Sequence, residues 1–148
     1  MKSTNFAPAV LLSLFVSGAV FADQSKVIVS GVSIKGGASA MAVDVVSAGN
    51  ASAVSLAITL PGATDKTVDL SSCTSKLPKG WQAVCTMKGD TVRVGAFAPL
   101  DTAPLAAGLA SIGEIRVKGI VGTASMSEVE IADSKGVVLS NSSDFSVQ

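Results

Sequence analysis

Period-two alternation of apolar and polar residues constrains this chain most, because it recurs in short segments that turn residues interrupt. In residues 54–60, every second residue is Val, Leu, Ile or Leu, and Pro-Gly follows directly. This spacing places the apolar residues on one face of an extended strand. The pattern predicts an all-β protein, an antiparallel β-sandwich of jelly-roll type with about nine strands. The expected strands cover residues 26–34, 41–46, 54–60, 67–70, 81–88, 91–97, 109–118, 125–131 and 137–139.

The first 22 residues have the layout of a secretory signal peptide. Lys2 is their only charge, residues 6–20 are mostly apolar or small, and Ala22 precedes a cleavage point before Asp23. The apolar stretch is too short and too rich in small residues for a membrane span, and no Cys follows the cleavage point to carry a lipid anchor. We predict removal of residues 1–22, a domain over residues 23–140, a frayed polar tail at 141–148, and a periplasmic or extracellular location.

Charge and length limit the partners of the processed chain. Removal of 22 of the 148 residues leaves 126, the size of one domain. The 11 basic residues fall to 10 without Lys2, against 11 acidic ones, so the net charge is −1. This balance lacks the basic footprint that nucleic-acid binding requires, and no nucleic-acid partner is expected.

Cys73 and Cys85 are the only cysteines of the chain. In an oxidising compartment such a pair is expected to form a disulfide, with two unpaired buried thiols as the alternative. A metal site is less favoured, because the chain has no His to complete a zinc shell. The turn residues 78–80 lie midway between the cysteines, so we predict that the flanking segments pair antiparallel and that the cysteines face each other. Closing this loop contributes about 3 kcal/mol of stability in the chain-entropy estimate.

Catalytic chemistry is scarce in this sequence. The absence of His removes the usual nucleophilic triads and the commonest general base, and no phosphate-binding loop is present. Glu114 with Glu128 or Glu130 is the one notable set of carboxylates for glycoside hydrolysis. Glu128 and Glu130 share a strand face, and a solvated outer face is the favoured interpretation. A calcium ion near Asp101 or Asp133 has only weak support, so we predict no enzyme, no cofactor and no metal.

Trp81 is the single candidate ligand contact. Sugar rings stack on flat aromatic surfaces, and the processed chain has only Trp81, Phe97 and Phe145 as aromatic residues. One aromatic side chain cannot form a binding strip. A partly buried cap over the cysteine-bearing hairpin is the alternative role of Trp81.

Several segments resemble strands of cohesin modules. Residues 90–97 resemble their G-x-V-R-V-A strand, and residues 108–118 resemble their G-x-L-A-x-I-x-F-x-V-K strand with one extra residue near Gly113, a predicted bulge or close-approach point. Residues 54–60 stand where cohesins have an early core strand, and residues 129–138 resemble their closing hairpin. The resemblance implies a nine-stranded jelly roll that binds a dockerin through an exposed sheet face.

The leading hypothesis is therefore an exported, non-catalytic, cohesin-like module that recognises a protein partner, dockerin-like if the family behaviour holds. The alternative is a polysaccharide-binding module that uses Trp81. A surface or pilus-type subunit ranks third, because Cys73 and Cys85 are close in sequence and the C-terminus lacks an aromatic-ended alternating strand.

Overall fold

A computed structural model of the chain describes residues 25–34, 38–118, 123–139 and 141–147. These residues form nine strands in two sheets, which confirms the predicted all-β sandwich. The predicted signal peptide lies outside the described residues. The strands are β1 (Ser25–Ile34), β2 (Ala38–Ser47), β3 (Ala53–Thr59), β4 (Val68–Asp69), β5 (Gln82–Lys88), β6 (Thr91–Phe97), β7 (Gly108–Lys118), β8 (Ser125–Ala132) and β9 (Asn141–Val147).

One sheet has five strands in the order β4-β7-β2-β1-β9, and the other has four in the order β5-β6-β3-β8. All neighbouring strands run antiparallel except β1 and β9, which are parallel. The turn Gly89-Asp90 joins β5 to β6 and sets Lys88 opposite Thr91. This two-residue connection fixes the register of the hairpin.

The core lies between the sheets and follows from the alternation in the strands. The four residues of the 54–60 segment that were predicted to share a face are all buried, which confirms that prediction. In both sheets, β-branched and other aliphatic side chains point inward and fill the space between the pleated surfaces. The core includes Val27, Val29, Met41, Val43, Val45, Ile112 and Ile115 from the five-stranded sheet, and Leu56, Ile58, Val92, Val94 and Ile131 from the four-stranded sheet.

The predicted extra residue near Gly113 is a β-bulge. Val43 faces Gly113 and Asp44 faces Ser111, so Ile112 has no partner on β2. Gly113 is also a point of close approach, because a Cβ there would lie 2.3 Å from the Cys73 carbonyl oxygen. Both features predicted for Gly113 are therefore confirmed.

The prediction that the polar C-terminal residues are frayed was wrong for the part of them that the structure describes. Residues 141–147 form β9, which pairs with β1 along its length, whereas residues 137–139 contribute only one isolated bridge, between Ala132 and Val138. The sequence of β9 is polar because this edge strand has little contact with the core. Its Phe145 packs against the hydrophobic core.

The cysteines form the predicted disulfide, with a Cα–Cα distance of 6.4 Å, but not across a hairpin. Residues 71–76 are turns rather than a strand, and β5 pairs only with β6 within the described residues. The turn segment instead bonds to β7, since Lys76 N donates to Ile112 O (3.0 Å) and Glu114 N donates to Ser72 O (2.9 Å). The disulfide therefore ties a segment fastened to the five-stranded sheet to the edge strand of the four-stranded sheet.

Candidate binding face

The outer face of the four-stranded sheet carries the candidate site. Alternation along β5 and β6 turns Val84, Thr86, Arg93 and Phe97 outward, while their neighbours in sequence face the core. The register sets each outward residue of β5 beside one of β6, and β3 and β8 continue the rows. The face therefore consists of short rows of side chains across four strands.

A shallow apolar depression of about 270 Å³ lies on this face. Gly95 lies at its centre, because in register it faces Val84 on one side and Ser55 on the other. No atom would lie within 4 Å of a Cβ added at Gly95, so the missing side chain leaves open space. The exposed Val84 and Phe97 line the depression together with Val54, Glu130 and several small residues. Glu130 is its one charged lining residue.

An ion pair crosses the middle of the same face. Both terminal nitrogens of Arg93 on β6 donate to the carboxylate of Glu128 on β8, with an Nη2–Oε1 distance of 3.2 Å. Strand β3 lies between these two strands, and its Ala57 faces Arg93 in register. Ala57 points outward yet is only 1% exposed, because this ion pair passes over it. The pair separates the apolar depression from the polar row at Thr59 and Thr91.

The backbone of Glu128 departs from regular strand geometry. Its φ is +53°, a left-handed conformation that is unusual for a non-glycine residue. The register of β8 against β3 shifts at this point, between Ser55 and Ala57. The bulge keeps Glu128 on the outer face together with Glu130, as the sequence predicted, and directs the carboxylate toward Arg93.

The proposed set of catalytic carboxylates is not assembled. Glu114 lies on β7 in the other sheet, where it accepts a hydrogen bond from Arg116 Nε at 2.6 Å. Glu128 is held by Arg93, which leaves Glu130 as the one carboxylate of the set without an ion pair among the described residues. The opposed carboxylates that glycoside hydrolysis requires are therefore not brought together here.

Trp81 lies half-buried beside the loop at residues 98–107. Its indole Nε1 donates to Ala103 O at 3.1 Å, and its ring packs against the hydrophobic core. The ring therefore joins the segment that precedes β5 to the 98–107 loop at one end of the sandwich. Only part of the ring surface is left for a ligand. Phe145 also packs inward, so of the three predicted aromatic residues only Phe97 lies on the candidate face.

The two aspartates considered for calcium occupy separate turns. Asp133 Oδ1 accepts hydrogen bonds from the backbone nitrogens of Lys135 (2.8 Å) and Val137 (2.9 Å), an arrangement that closes a turn. Asp101 has a φ of +68° at the tip of the 98–107 loop. Across the described ranges, no three His, Cys, Asp or Glu side chains group closely enough to hold a metal ion. The same part of the chain contains no helix of the length and apolarity needed to cross a membrane.

Val84 and Gly95 were not predicted as site residues from the sequence. Val84 is an apolar residue at an outward position of β5, and Gly95 interrupts the outward row between Arg93 and Phe97. Both signals were present in the alternation, but the depression forms only when the register places Gly95 beside Ser55 and Val84.

Comparisons with known proteins establish the fold. No protein-family model matches the chain, and no curated protein does. Solved structures do match: a non-cellulosomal cohesin from Archaeoglobus fulgidus has a TM-score of 0.52 at 15% identity, covering 84% of this chain and 91% of that chain. A type I cohesin–dockerin complex from Clostridium thermocellum gives 0.56 at 10% identity, with coverages of 85% and 96%. A type II cohesin from Bacteroides cellulosolvens gives 0.55 at 10%, with coverages of 83% and 95%. The resemblance inferred from the sequence is thus confirmed for the fold, and the described chain is a cohesin-like β-sandwich.

Proposed function

We propose that this chain is an exported, non-catalytic binding module that recognises a protein partner with the outer face of its four-stranded sheet. The observation that carries the proposal is the apolar depression around Gly95 between Val84 and Phe97. Apolar side chains at the centre of a polar rim are typical of protein-binding surfaces. The polar rim is supplied here by Thr86, Arg93 and Glu130.

The fold supports this proposal. Two of the similar structures from Clostridium thermocellum are cohesin–dockerin complexes, and a cohesin from Acetivibrio cellulolyticus was solved with a dockerin as well. By analogy, the partner of this chain is a dockerin-like protein. The same likeness supports the prediction that the chain is not an enzyme.

Export is the second part of the proposal. A cleavable signal peptide at residues 1–22 accounts for the charge and apolar pattern of the N-terminus. The Cys73–Cys85 disulfide suits an oxidising compartment, either the periplasm or the extracellular medium. We expect the intact mass of the protein in the exported fraction to correspond to residues 23–148 with one disulfide. Export of the unprocessed chain, or its retention in the cytosol, would contradict this part.

A polysaccharide-binding module is the alternative, and a pilus-type subunit ranks third. The hydrogen bond from Trp81 to Ala103 and the packing of its ring argue against Trp81 as an open stacking platform. A separate assay of the purified protein on polysaccharides and model esters addresses catalysis. Turnover in proportion to protein concentration would overturn the non-catalytic assignment.

The test is affinity capture with the processed, oxidised protein. The immobilised protein is exposed to the exported fraction of its source organism, and bound material is identified by mass spectrometry, with soluble polysaccharide as a competitor. We expect one saturable protein partner that Trp81→Ala retains and polysaccharide does not displace. Retention of glycan without protein, lost in a folded Trp81→Ala variant, would contradict the proposal and support the alternative.

A further inference from the structure

Strand β5 is an open edge of the four-stranded sheet. It has seven residues and pairs only with β6 among the strands that the structure describes. Edge strands present unpaired backbone groups, which natural proteins protect by short strands, bulges, prolines or charged side chains. The register of β5 against β6 has no bulge, and the strand has no Pro and a single charge, Lys88, at its last residue. A further strand can therefore pair with this edge.

The other sheet edges of the described chain are protected. Strand β4 has only two residues. Strand β8 departs from regular geometry at Glu128, where φ is +53° and the register against β3 shifts. Strand β9 carries Asp144, whose carboxylate pairs with Lys26 at 3.2 Å. Among the described edges, β5 is therefore the one that lacks such protection.

The turn after β5 determines which of its backbone groups are already bonded. Gly89 has a φ of +63° and begins the two-residue connection to β6, as the first residue of a type II′ turn does. In such a hairpin, the residues that flank the turn exchange both backbone hydrogen bonds, and every second pair along the ladder does the same. Here the flanking residues are Lys88 and Thr91. The even-numbered residues of 82–88 therefore bond to β6.

The amide and carbonyl groups of Ala83, Cys85 and Met87 point to the open edge. No backbone hydrogen bond from the described turns and loops reaches them. The strand that presents these groups is held in place, because the disulfide fastens Cys85, its middle residue, to the turn segment that bonds to β7. An edge that is already ordered loses little conformational freedom when another strand pairs with it.

We propose that β5 pairs antiparallel with β5 of a second copy of this chain, about a two-fold axis at Cys85. The free residues are spaced symmetrically about Cys85, so Ala83 of each copy lies opposite Met87 of the other, and the two Cys85 residues face each other. Each of these pairs can exchange both backbone hydrogen bonds, which leaves no free group of β5 without a partner. The two four-stranded sheets then form one continuous sheet.

The side chains of β5 suit this pairing. Val84 of each copy lies beside Thr86 of the other and diagonal to the other Val84. Because Val84 is 61% exposed in the single chain, pairing removes apolar surface from water. Lys88 lies opposite Gln82, so like charges do not meet across the axis. The chain has 11 basic and 11 acidic residues, so two copies repel each other little.

The test measures the oligomeric state by sedimentation velocity over a range of concentrations. The protein is purified after expression of the whole chain, with its disulfide formed. We expect a monomer–dimer equilibrium at concentrations on the order of 100 μM, because one pair of strands buries less area than a standard interface. Val84→Lys places a charge beside the axis and should raise the dissociation constant by about tenfold or more. Val137→Lys is the matched control, because Val137 is 57% exposed and lies outside β5, and its dimer should be unchanged.

A second variant separates edge pairing from a contact between the outer faces of two copies. Ala83→Pro removes an amide that points to the open edge, while the bonds of β5 to β6 and the outer face stay intact. We expect this variant to lose the dimer, with circular dichroism verifying its fold. A dimer that Ala83→Pro retains and Val84→Lys loses would overturn the proposal, because the two copies would then meet through their outer faces.

Amide hydrogen exchange, measured residue by residue by NMR, tests the pairing without a substitution. The amides of Ala83, Cys85 and Met87 should exchange more slowly as the protein concentration rises, whereas those of Val84 and Thr86 are already bonded to β6 and should change little. A monomer at all concentrations up to about 1 mM, or a dimer that leaves the three edge amides unchanged, would overturn the proposal. Neither measurement involves a captured partner, so this proposal and the proposed function can fail independently.

Discussion

The two outer faces of the sandwich differ in where their ion pairs lie and in what lies beside them. On the five-stranded sheet, Lys26 pairs with Asp144 at 3.2 Å near one edge, and Arg116 lies between Glu114 and Asp69 near the other. On the four-stranded sheet, one ion pair crosses β3, and beside it the missing side chain of Gly95 leaves an apolar depression. Paired charged side chains are stable in water without a binding partner. An open apolar depression, in contrast, is stabilised when a partner fills it and removes its apolar surface from water.

Gly113 and Gly95 show the same contrast between the two sheets at the level of single residues. A Cβ at Gly113 of the five-stranded sheet would meet three backbone atoms of Ser72 and Cys73 at 2.3–2.4 Å. A Cβ at Gly95 of the four-stranded sheet would meet no atom within 4 Å. Gly113 is therefore required by packing, and Gly95 is free for recognition.

The largest effect is expected for Gly113→Ala. The added methyl group must displace the backbone of the turn segment and break the bond from Glu114 N to Ser72 O. Overpacking and the lost hydrogen bond together should reduce the free energy of unfolding by about 4 kcal/mol. Urea denaturation measures the change, and Gly95→Ala is the matched control, with an expected change within about 0.5 kcal/mol. Equal losses at the two glycines would contradict the comparison.

Removal of the disulfide should reduce the free energy of unfolding slightly less than Gly113→Ala does. The bridge has a sequence separation of 12 and holds the segment on β7 to the edge of the other sheet. A Cys73→Ala/Cys85→Ala variant is expected to lose about 3 kcal/mol of unfolding free energy relative to the oxidised protein. Denaturation of the unmodified protein under reducing conditions should give a similar loss. A loss below about 1 kcal/mol would show that the turn segment at Cys73 and strand β5 stay together without the bridge.

A smaller loss of stability is expected for a substitution at Ala57, which lies beneath the ion pair. Ala57→Leu would place a large side chain under Arg93 and Glu128, displacing the pair and costing about 2 kcal/mol. Ser55→Leu on the same strand face is the control, because Ser55 is exposed and its change should lie near zero. Thermal denaturation of both variants checks the difference. If Ser55→Leu proved the more destabilising, the ion pair would not cover Ala57.

The smallest expected effect is a change in the pH dependence of stability at Asp69, on the outer face of the five-stranded sheet. Hydrogen bonds from Ser71, with Arg116 and Lys118 nearby, hold the pKa of Asp69 below its ordinary value of 3.8. Because the folded pKa lies below the unfolded one, the stabilisation is present above the unfolded pKa and is lost as pH falls through the folded pKa. Asp69→Asn should therefore lose less stability on acidification than the unmodified protein, as measured by urea midpoints from neutral pH to below about 4. Parallel pH profiles would contradict this assignment.

The fold was predictable from the sequence because alternation and turn residues determine the strand faces locally. Residues 54–60 and the bulge at Gly113 were predicted from such local signals. The disulfide partners were also predicted, but their setting was not, because the bonds of Ser72 and Lys76 to β7 connect residues far apart in sequence. Strand β9 was missed because its polar side chains carry no alternation signal, and its parallel pairing with β1 depends on tertiary structure.

The candidate site was less predictable than the fold. Trp81 was singled out for its aromatic ring alone, yet the structure engages its indole nitrogen with Ala103. The depression at Gly95 depends on the absence of a side chain and on the register of β5, β6 and β3. A local pattern does not reveal such a cavity, because its walls come from three strands.

Binding of the partner to the face around Gly95 is tested by capture with two matched variants. Gly95→Gln fills the depression, and Ser30→Gln adds the same side chain to the outer face of the five-stranded sheet, where Ser30 is exposed. The amount of partner captured from the exported fraction is measured for both variants and for the unmodified protein. We expect at least a tenfold loss of affinity for Gly95→Gln and none for Ser30→Gln, with unchanged stability for both. Undiminished capture by Gly95→Gln, or loss confined to Ser30→Gln, would contradict this expectation.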